Sequence, residues 1–271
     1  MTIDETGFLS PQILSWIQRH RTANSDWFQL AENLNRIAHH AITAMEVPSD
    51  NNQVFMAALL SMRGLSSFQG TLLLAERGMT QDARILVRSC FETVFYLGAL
   101  LREPEFVEAL IRDDADQRGK MARALLKLPE GSGLEAEHTE KLTRFLDDLE
   151  QSGKVPQSIR VFETARLAGL KEIYGTYYRG LSNDAAHPSM VSLNRYVASG
   201  DSNEVTGLHW GPDVSDVEDT VNNACTAAIY LLTYARECFI PNVIEEDHLE
   251  RCWEDYKRLV DATKSRVPLR T

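Results

Sequence analysis

Along most of the chain, apolar residues recur three and four positions apart, the period of a helix buried on one face. Trp27, Leu30, Leu34, Ile37, Ala41 and Met45 form one such run. Val47-Pro48 closes it, because the residue before a proline is driven out of the helical region. Ser10-Pro11 marks an earlier helix start, with a capping residue ahead of a proline. Val54, Phe55, Ala58, Leu59, Met62, Leu65, Phe68, Leu72 and Leu73 predict a helix over 53–77, with Gly64 and Gly70 inside it as points of close helix approach. The stretch 80–101 is apolar almost all the way round, from Ile85, Leu86 and Val87 to Leu100 and Leu101. Yet Arg84, Arg88, Glu92 and Tyr96 run through it at four-residue spacing, which stacks them along one side. Buried charges persist only when paired and hydrogen-bonded, so this stripe must face partners, a ligand or a wet cavity. Between these two helices, Gly78 suits the left-handed position after a helix end and Thr80 the next N-cap, which predicts an antiparallel helical hairpin.

Downstream, Pro104 and its flanking acids restart a helix that runs to about Leu128. Pro129 to Gly133 is a flexible break, followed by a strongly charged, peripheral helix over 134–152. Ile159, Phe162 and Leu167 mark a short helix, and a tyrosine-rich one spans 170–186 before His187-Pro188. Only 190–210 departs from the helical period, and it predicts a small hairpin or extended flap. Pro212-Asp213 then opens a long helix through Val214, Val221, Leu231 and Phe239, and Leu249, Trp253, Tyr256 and Leu259 form a last one. The expected fold is all-α: a single helical bundle domain over 1–271 with a small β-hairpin or extended flap near 190–210. Its core is expected over 53–128 and 157–242, with 130–153 at the periphery.

Composition narrows the function classes. The 271 residues carry a formal net charge of −11, which argues against a broad nucleic-acid footprint but allows a small local basic pocket. Cys90, Cys225, Cys238 and Cys252 have no zinc-clip spacing and read as reduced core cysteines of an intracellular protein. The N-terminus has no basic segment leading into an apolar run, so no signal peptide is expected. No apolar run approaches the ~18 residues of a membrane helix. A cytoplasmic protein with no membrane partner is expected.

Two constellations carry candidate chemistry. In the first, Arg84 and Arg88 beside Glu92 and Tyr96 have the donors to bind a phosphate, a carboxylate or a nucleotide. The alternative is that the stripe pairs with itself and with neighbouring helices. The second is Tyr177-Tyr178-Arg179 through Ser182-Asn183-Asp184 to His187-Pro188-Ser189. Asn183 and Asp184 precede His187 by four and three residues, and a histidine oriented by an acid suits proton transfer near neutral pH. The alternative is that His187 closes a helix end and bonds into the core. Tyr178 and Asp184 join Arg84, Arg88, Glu92 and Tyr96 as ligand-binding candidates, and Arg88 and Glu92 are expected to meet the His187 turn in space. Glu135…His138 and Glu245…His248 have the Glu-x-x-His spacing of di-metal bundles. Both lie in polar first-turn segments and read as solvated faces, so neither metal nor cofactor is expected. No Walker loop, dinucleotide fingerprint or nucleophile elbow is present.

The glycine turn leading into Arg84…Arg88-Ser-Cys-Phe-Glu92, with the later Tyr178…Leu181-Ser182…His187-Pro188-Ser189, resembles a family of bacterial helical proteins known only as a domain of unknown function. The resemblance covers about residues 55–240. The second motif also resembles, more distantly, the HEPN group of helical ribonucleases and toxins. There an arginine, often followed by asparagine, stands four to six residues before a histidine. The pair forms a metal-independent RNA-cleaving site, commonly across a dimer. Asn183 and His187 fit that pattern, but Ser182 stands where the arginine belongs. Arg179, the nearest alternative, lies roughly 80° round a helix from His187.

Three readings follow. A binding or regulatory module would use the Arg/Glu/His pocket for a small anionic ligand or a partner protein. A HEPN-like ribonuclease would use His187 for proton transfer, Asn183 to orient substrate, and Arg179 or Arg88 to hold the scissile phosphate, with RNA as substrate and a homodimer as an allowed assembly. In a structural subunit, the polar stripe would only fix helix register.

Overall fold

A computed structural model describes residues 2–48, 50–129, 135–153, 158–185, 188–200, 204–238, 244 and 246–266, the side chains of 183–185 and 264–266 excepted. In chain order the helices are α1 (Ile3–Thr6), α2 (Ile13–Ala23), α3 (Ser25–Ala44), α4 (Asn52–Ala75), α5 (Thr80–Arg102), α6 (Phe106–Leu126), α7 (Ala136–Gln151), α8 (Val161–Leu167) and α9 (Lys171–Ile173). A π-helical turn, Tyr174–Tyr178, joins α9 to α10 (Arg179–Ala185) in one continuous rod. Then come α11 (Met190–Asn194), a hairpin of β1 (Val197–Ser199) and β2 (Val205–Leu208), α12 (Val217–Cys238) and α13 (Glu246–Arg266). The fold is all-α with one small antiparallel hairpin, as the periodicity predicts. No described helix is long and apolar enough to cross a membrane.

Helix α5 lies at the centre. It packs against α4, α12, α8 and α10, and one buried core joins side chains from α3 to α13 around it. Val87, Phe91, Val94, Phe95, Leu97, Ala99 and Leu100 of α5 are fully buried. The hairpin of α4 and α5 turns as expected at Gly78, whose φ is +73°. A Cβ there would also meet Trp16 and the backbone at Pro212-Asp213. Thr80 does not cap α5. Met79 holds the N-cap position, and the Thr80 hydroxyl donates instead to the Asp213 carbonyl at 3.3 Å. Gly64 and Gly70 are points of close approach, to Leu231 of α12 and Leu86 of α5 respectively.

Other elements differ from the sequence expectation for local reasons. Four of the nine apolar positions assigned to 53–77 face outward, Phe55, Leu59, Met62 and Leu73, because α4 presents only one side to α5 and α12. The expected first strand of the flap is shorter. Ser189 accepts from the Ser192 N–H, the Ser192 hydroxyl answers the Ser189 N–H, and this capping box turns Met190–Asn194 into a helical turn. The long C-terminal helix starts at Val217 rather than at Pro212-Asp213. The Asp213 carboxylate instead takes the Ser215 N–H and hydroxyl, each at 2.7 Å, and Asp216 adopts a φ of +56°.

Gly98 sits where α5, α8 and α12 meet. A Cβ built there would lie 2.8 Å from both the Ala168 Cβ and the Tyr234 ring. Gly98→Ala should therefore lower stability by ~1–3 kcal/mol through overpacking, although alanine favours a helix. Gly180 of α10 meets nothing within 4 Å, and Gly180→Ala should instead gain up to ~1 kcal/mol. Urea unfolding of the two variants checks this opposition of sign.

Candidate functional site

The stripe on α5 divides as it ascends. Four residues make 400° of turn, so each step drifts ~40° round the axis, and Arg84 and Tyr96 lie ~120° and ~18 Å apart. Arg84 therefore leaves the group. Its Nη1 donates to the Asp219 carboxylate of α12 at 2.9 Å, and Asn223 supports that carboxylate at 3.2 Å. Tyr96 also leaves. Its ring meets Phe106 edge-on, and burial, with Asp113 and Glu92 nearby, raises its pKa.

Arg88 and Glu92 remain together and meet the tyrosine-rich rod. Arg88 Nη2 lies 2.8 Å from Glu92 Oε1 and donates to the Tyr178 hydroxyl at 2.7 Å. That hydroxyl donates onward to Glu92 Oε1 at 2.5 Å. Arg88 Nε donates to the Ser182 hydroxyl at 3.1 Å, and its guanidinium carbon stands 5.0 Å from the Tyr178 ring centroid. One arginine, one carboxylate, one phenol and one hydroxyl thus close a cyclic polar cluster across two elements. The cluster is not sealed, since the Arg88 and Glu92 side chains are 28% and 26% exposed.

The rod is held in register by aromatic contacts. Tyr177 stacks on Phe91 at 5.7 Å, and Tyr174 and Tyr178 meet Phe95 at 6.2 and 5.8 Å. The π turn carries all three tyrosines, and such insertions into a helical ladder recur at functional sites. Arg179, next along, is exposed and stands outside the cluster. Asn183 and Asp184 lie on α10, one and two residues beyond Ser182, with side chains outside the described residues. His187 lies outside them altogether, and so does its expected meeting with Arg88 and Glu92.

Sequence reasoning missed Arg63, whose Nη2 reaches the Ser89 hydroxyl at 3.5 Å beside the cluster. The signal was present, because Arg63 is the lone charged residue of α4. Asp219 was also missed as the partner of Arg84, and its place in the first turn of a long apolar helix gave no hint of it. Glu135 and His138 stand 3.6 Å apart on the surface, both largely exposed. Glu245 lies outside the described residues. Among the described residues, no group of three His, Cys, Asp or Glu side chains is placed to hold a metal. The four cysteines are free, and burial pushes the Cys90 thiol up to about 12.

The fold and this cluster define a helical bundle organised around a half-open Arg–Glu–Tyr–Ser ring on its central helix. The chain belongs to a family of unknown function (DUF5677), whose pattern matches residues 54–205. That span starts where the resemblance in the sequence suggested and ends sooner, within the hairpin. It contains both halves of the cluster, while α3, α12 and α13 lie outside it. No curated protein and no solved structure matches the chain.

Burial of Tyr178, followed by its hydrogen bond to Glu92, raises its pKa well above the ordinary tyrosine value, against the opposing pull of Arg88 and Ser182. A group whose pKa is higher folded than unfolded lends stability that is complete below the unfolded value, about 10, and is lost as pH rises toward the folded value. Tyr178→Phe should cost ~1–3 kcal/mol at pH 7, since it strands a donor and an acceptor. It should also make the loss of stability between pH 9 and pH 11 shallower, as urea midpoints across that range would show.

Proposed function

We propose that the chain is a binding module, and that the face of α5 around Ser89 and Glu92 receives a small anion or an anionic group of a partner. The observation that carries this reading is that Arg63 reaches from α4 to the Ser89 hydroxyl of α5, next in the chain to Arg88 and three residues before its partner Glu92. Both guanidiniums supply donors for an anion on a protein whose net charge is −11. The Arg88 fork is held in advance by Ser182 and Tyr178, so binding immobilises little further. With Nε and Nη2 held by Ser182, Tyr178 and Glu92, Nη1 remains as the donor for a phosphate or carboxylate oxygen.

Thermal shift against nucleotides and small mono- and dianions tests this reading. One class should raise the melting temperature by several degrees. Arg63→Gln should abolish that response while leaving the unliganded melting temperature within about a degree, because Arg63 is exposed. Arg88→Lys should abolish it too, since a lysine keeps the charge but loses the bonds to Ser182 and Tyr178 that aim the guanidinium. A flat response of the intact protein across the panel would sink the small-ligand reading. A response that survives both substitutions would leave the cluster a purely structural part.

One further observation supports a second reading, a HEPN-like ribonuclease. The position before Asn183 is Ser182, and Arg88 Nε reaches its hydroxyl from α5 at 3.1 Å. An arginine is thereby delivered from another helix to the place where the HEPN pattern has one in the chain. On this reading Arg88 holds the scissile phosphate and His187 moves the proton. RNA incubated with the protein and EDTA should be cleaved by the intact chain and spared by His187→Ala. Intact RNA in both reactions eliminates the ribonuclease.

A further inference from the structure

Away from the α5 cluster, α3 and α13 pack against one another and enclose a cleft of about 550 Å³. That volume falls within the ~300–1,000 Å³ of small-molecule sites. Arg36 and His40 line it from α3, and His248, Arg251, Cys252 and Asp255 from α13. The two arginines line the same cleft from its two walls, with the buried Cys252 between them in the lining. Each guanidinium is steadied within its own helix: Arg36 Nη1 donates to Asn33 Oδ1 at 3.3 Å, and Arg251 Nε to the Asp247 carbonyl at 3.0 Å. Asp255, the one carboxylate of the lining, is occupied by Arg258 at 2.8 Å. A more open cleft adjoins at Arg36 and His40 and adds His39 and Glu32, the latter paired with Arg21. Two of the chain's seven histidines and two arginines thus line one groove, on a protein whose net charge is −11.

We propose that the groove between α3 and α13 is a second binding site, for a phosphoryl group gripped between Arg36 and Arg251 from opposite walls. Guanidiniums facing each other across a groove match the several acceptor oxygens of a phosphate. His40 and His248 flank that position with ring nitrogens. Ile37, Ile244 and Cys252 offer apolar surface to the organic part of a phosphorylated small molecule. The groove lies outside residues 54–205, so it belongs to the parts of the chain that flank the family's matched span. It shares no residue with the α5 cluster, and its ligand need not be the ligand of that cluster.

Titration calorimetry of the full-length Arg63→Gln chain, in which the α5 face is disabled, with AMP and with pyrophosphate tests the site. We expect saturable binding of at least one probe at one site per chain. Binding of AMP assigns the groove to organic phosphates, and binding of pyrophosphate alone assigns it to inorganic ones. Arg36→Ala and Arg251→Ala should each weaken binding tenfold or more. Both arginines are exposed, so the variants should keep the parent melting temperature. Arg144→Ala, on the exposed face of α7, should leave the affinity unchanged. The proposal is overturned if neither probe saturates. It is equally overturned if binding persists in the Arg36→Ala/Arg251→Ala double variant, or if Arg144→Ala weakens it as much as the groove variants do.

Discussion

The enclosure of α5 is the constraint on which the rest of the structure depends. With α4, α12, α8 and α10 packed around it, almost every position on α5 must be apolar or be matched by a polar partner from another element. Arg84 finds Asp219 on α12, and Arg88 and Glu92 find Tyr178 and Ser182 on the tyrosine-rich rod. Each match ties α5 to a different neighbour. The polar residues of the central helix therefore set which element lies on which side, a specificity that apolar packing alone supplies poorly.

Within this frame the rod from Lys171 to Ala185 has to satisfy two demands at once. Its tyrosines must seat on Phe91 and Phe95, and its next turn must deliver Ser182 to Arg88. The π turn at Tyr174–Tyr178 falls between these two tasks. A residue inserted into a helical ladder shifts the angular position of everything beyond it, so this turn sets where Ser182 and the segment after it point. Gly175, which meets nothing within 4 Å, lies within the turn and leaves its outer side uncrowded.

Much of this was legible in the sequence, and the reasons it was legible also mark where reading fails. The helices stand out because their apolar period is strong, and Gly78 stands out because few other residues tolerate its conformation. Arg88, Glu92 and Tyr178 are conspicuous as polar residues in apolar surroundings. The stripe misled because four-residue spacing is not a straight line: the drift carries Arg84 toward α12 and Tyr96 toward Phe106. The start of the flap misled because alternating residues look alike in a strand and in a short capped turn, and only the Ser189–Ser192 exchange decides between them. Arg63 was overlooked because a lone charge on a helix with one open face attracts no notice. It acquires meaning only when α5 places Ser89 opposite. The groove between α3 and α13 has no linear signature at all, since its two arginines stand more than two hundred residues apart.

Magnitudes separate what holds the cluster together from what it has to offer. An Arg–Glu pair four residues apart on one helix contributes only ~0.3–0.5 kcal/mol, and it joins nothing beyond its own helix. The Tyr178 hydroxyl does join two elements. It accepts from Arg88 and donates to Glu92, and stranding such partners in a low-dielectric setting costs ~1–3 kcal/mol. The cluster's share of fold stability therefore rests mainly on the phenol, whose residue is buried, rather than on the ion pair. Arg88 and Glu92 keep about a quarter of their side-chain surface open to solvent. Arg88 Nε and Nη2 share in the tie to the rod, which leaves Nη1 as the guanidinium nitrogen not committed to holding the fold. A polar cluster inside a core helix can then serve packing and recognition together, with different atoms assigned to each.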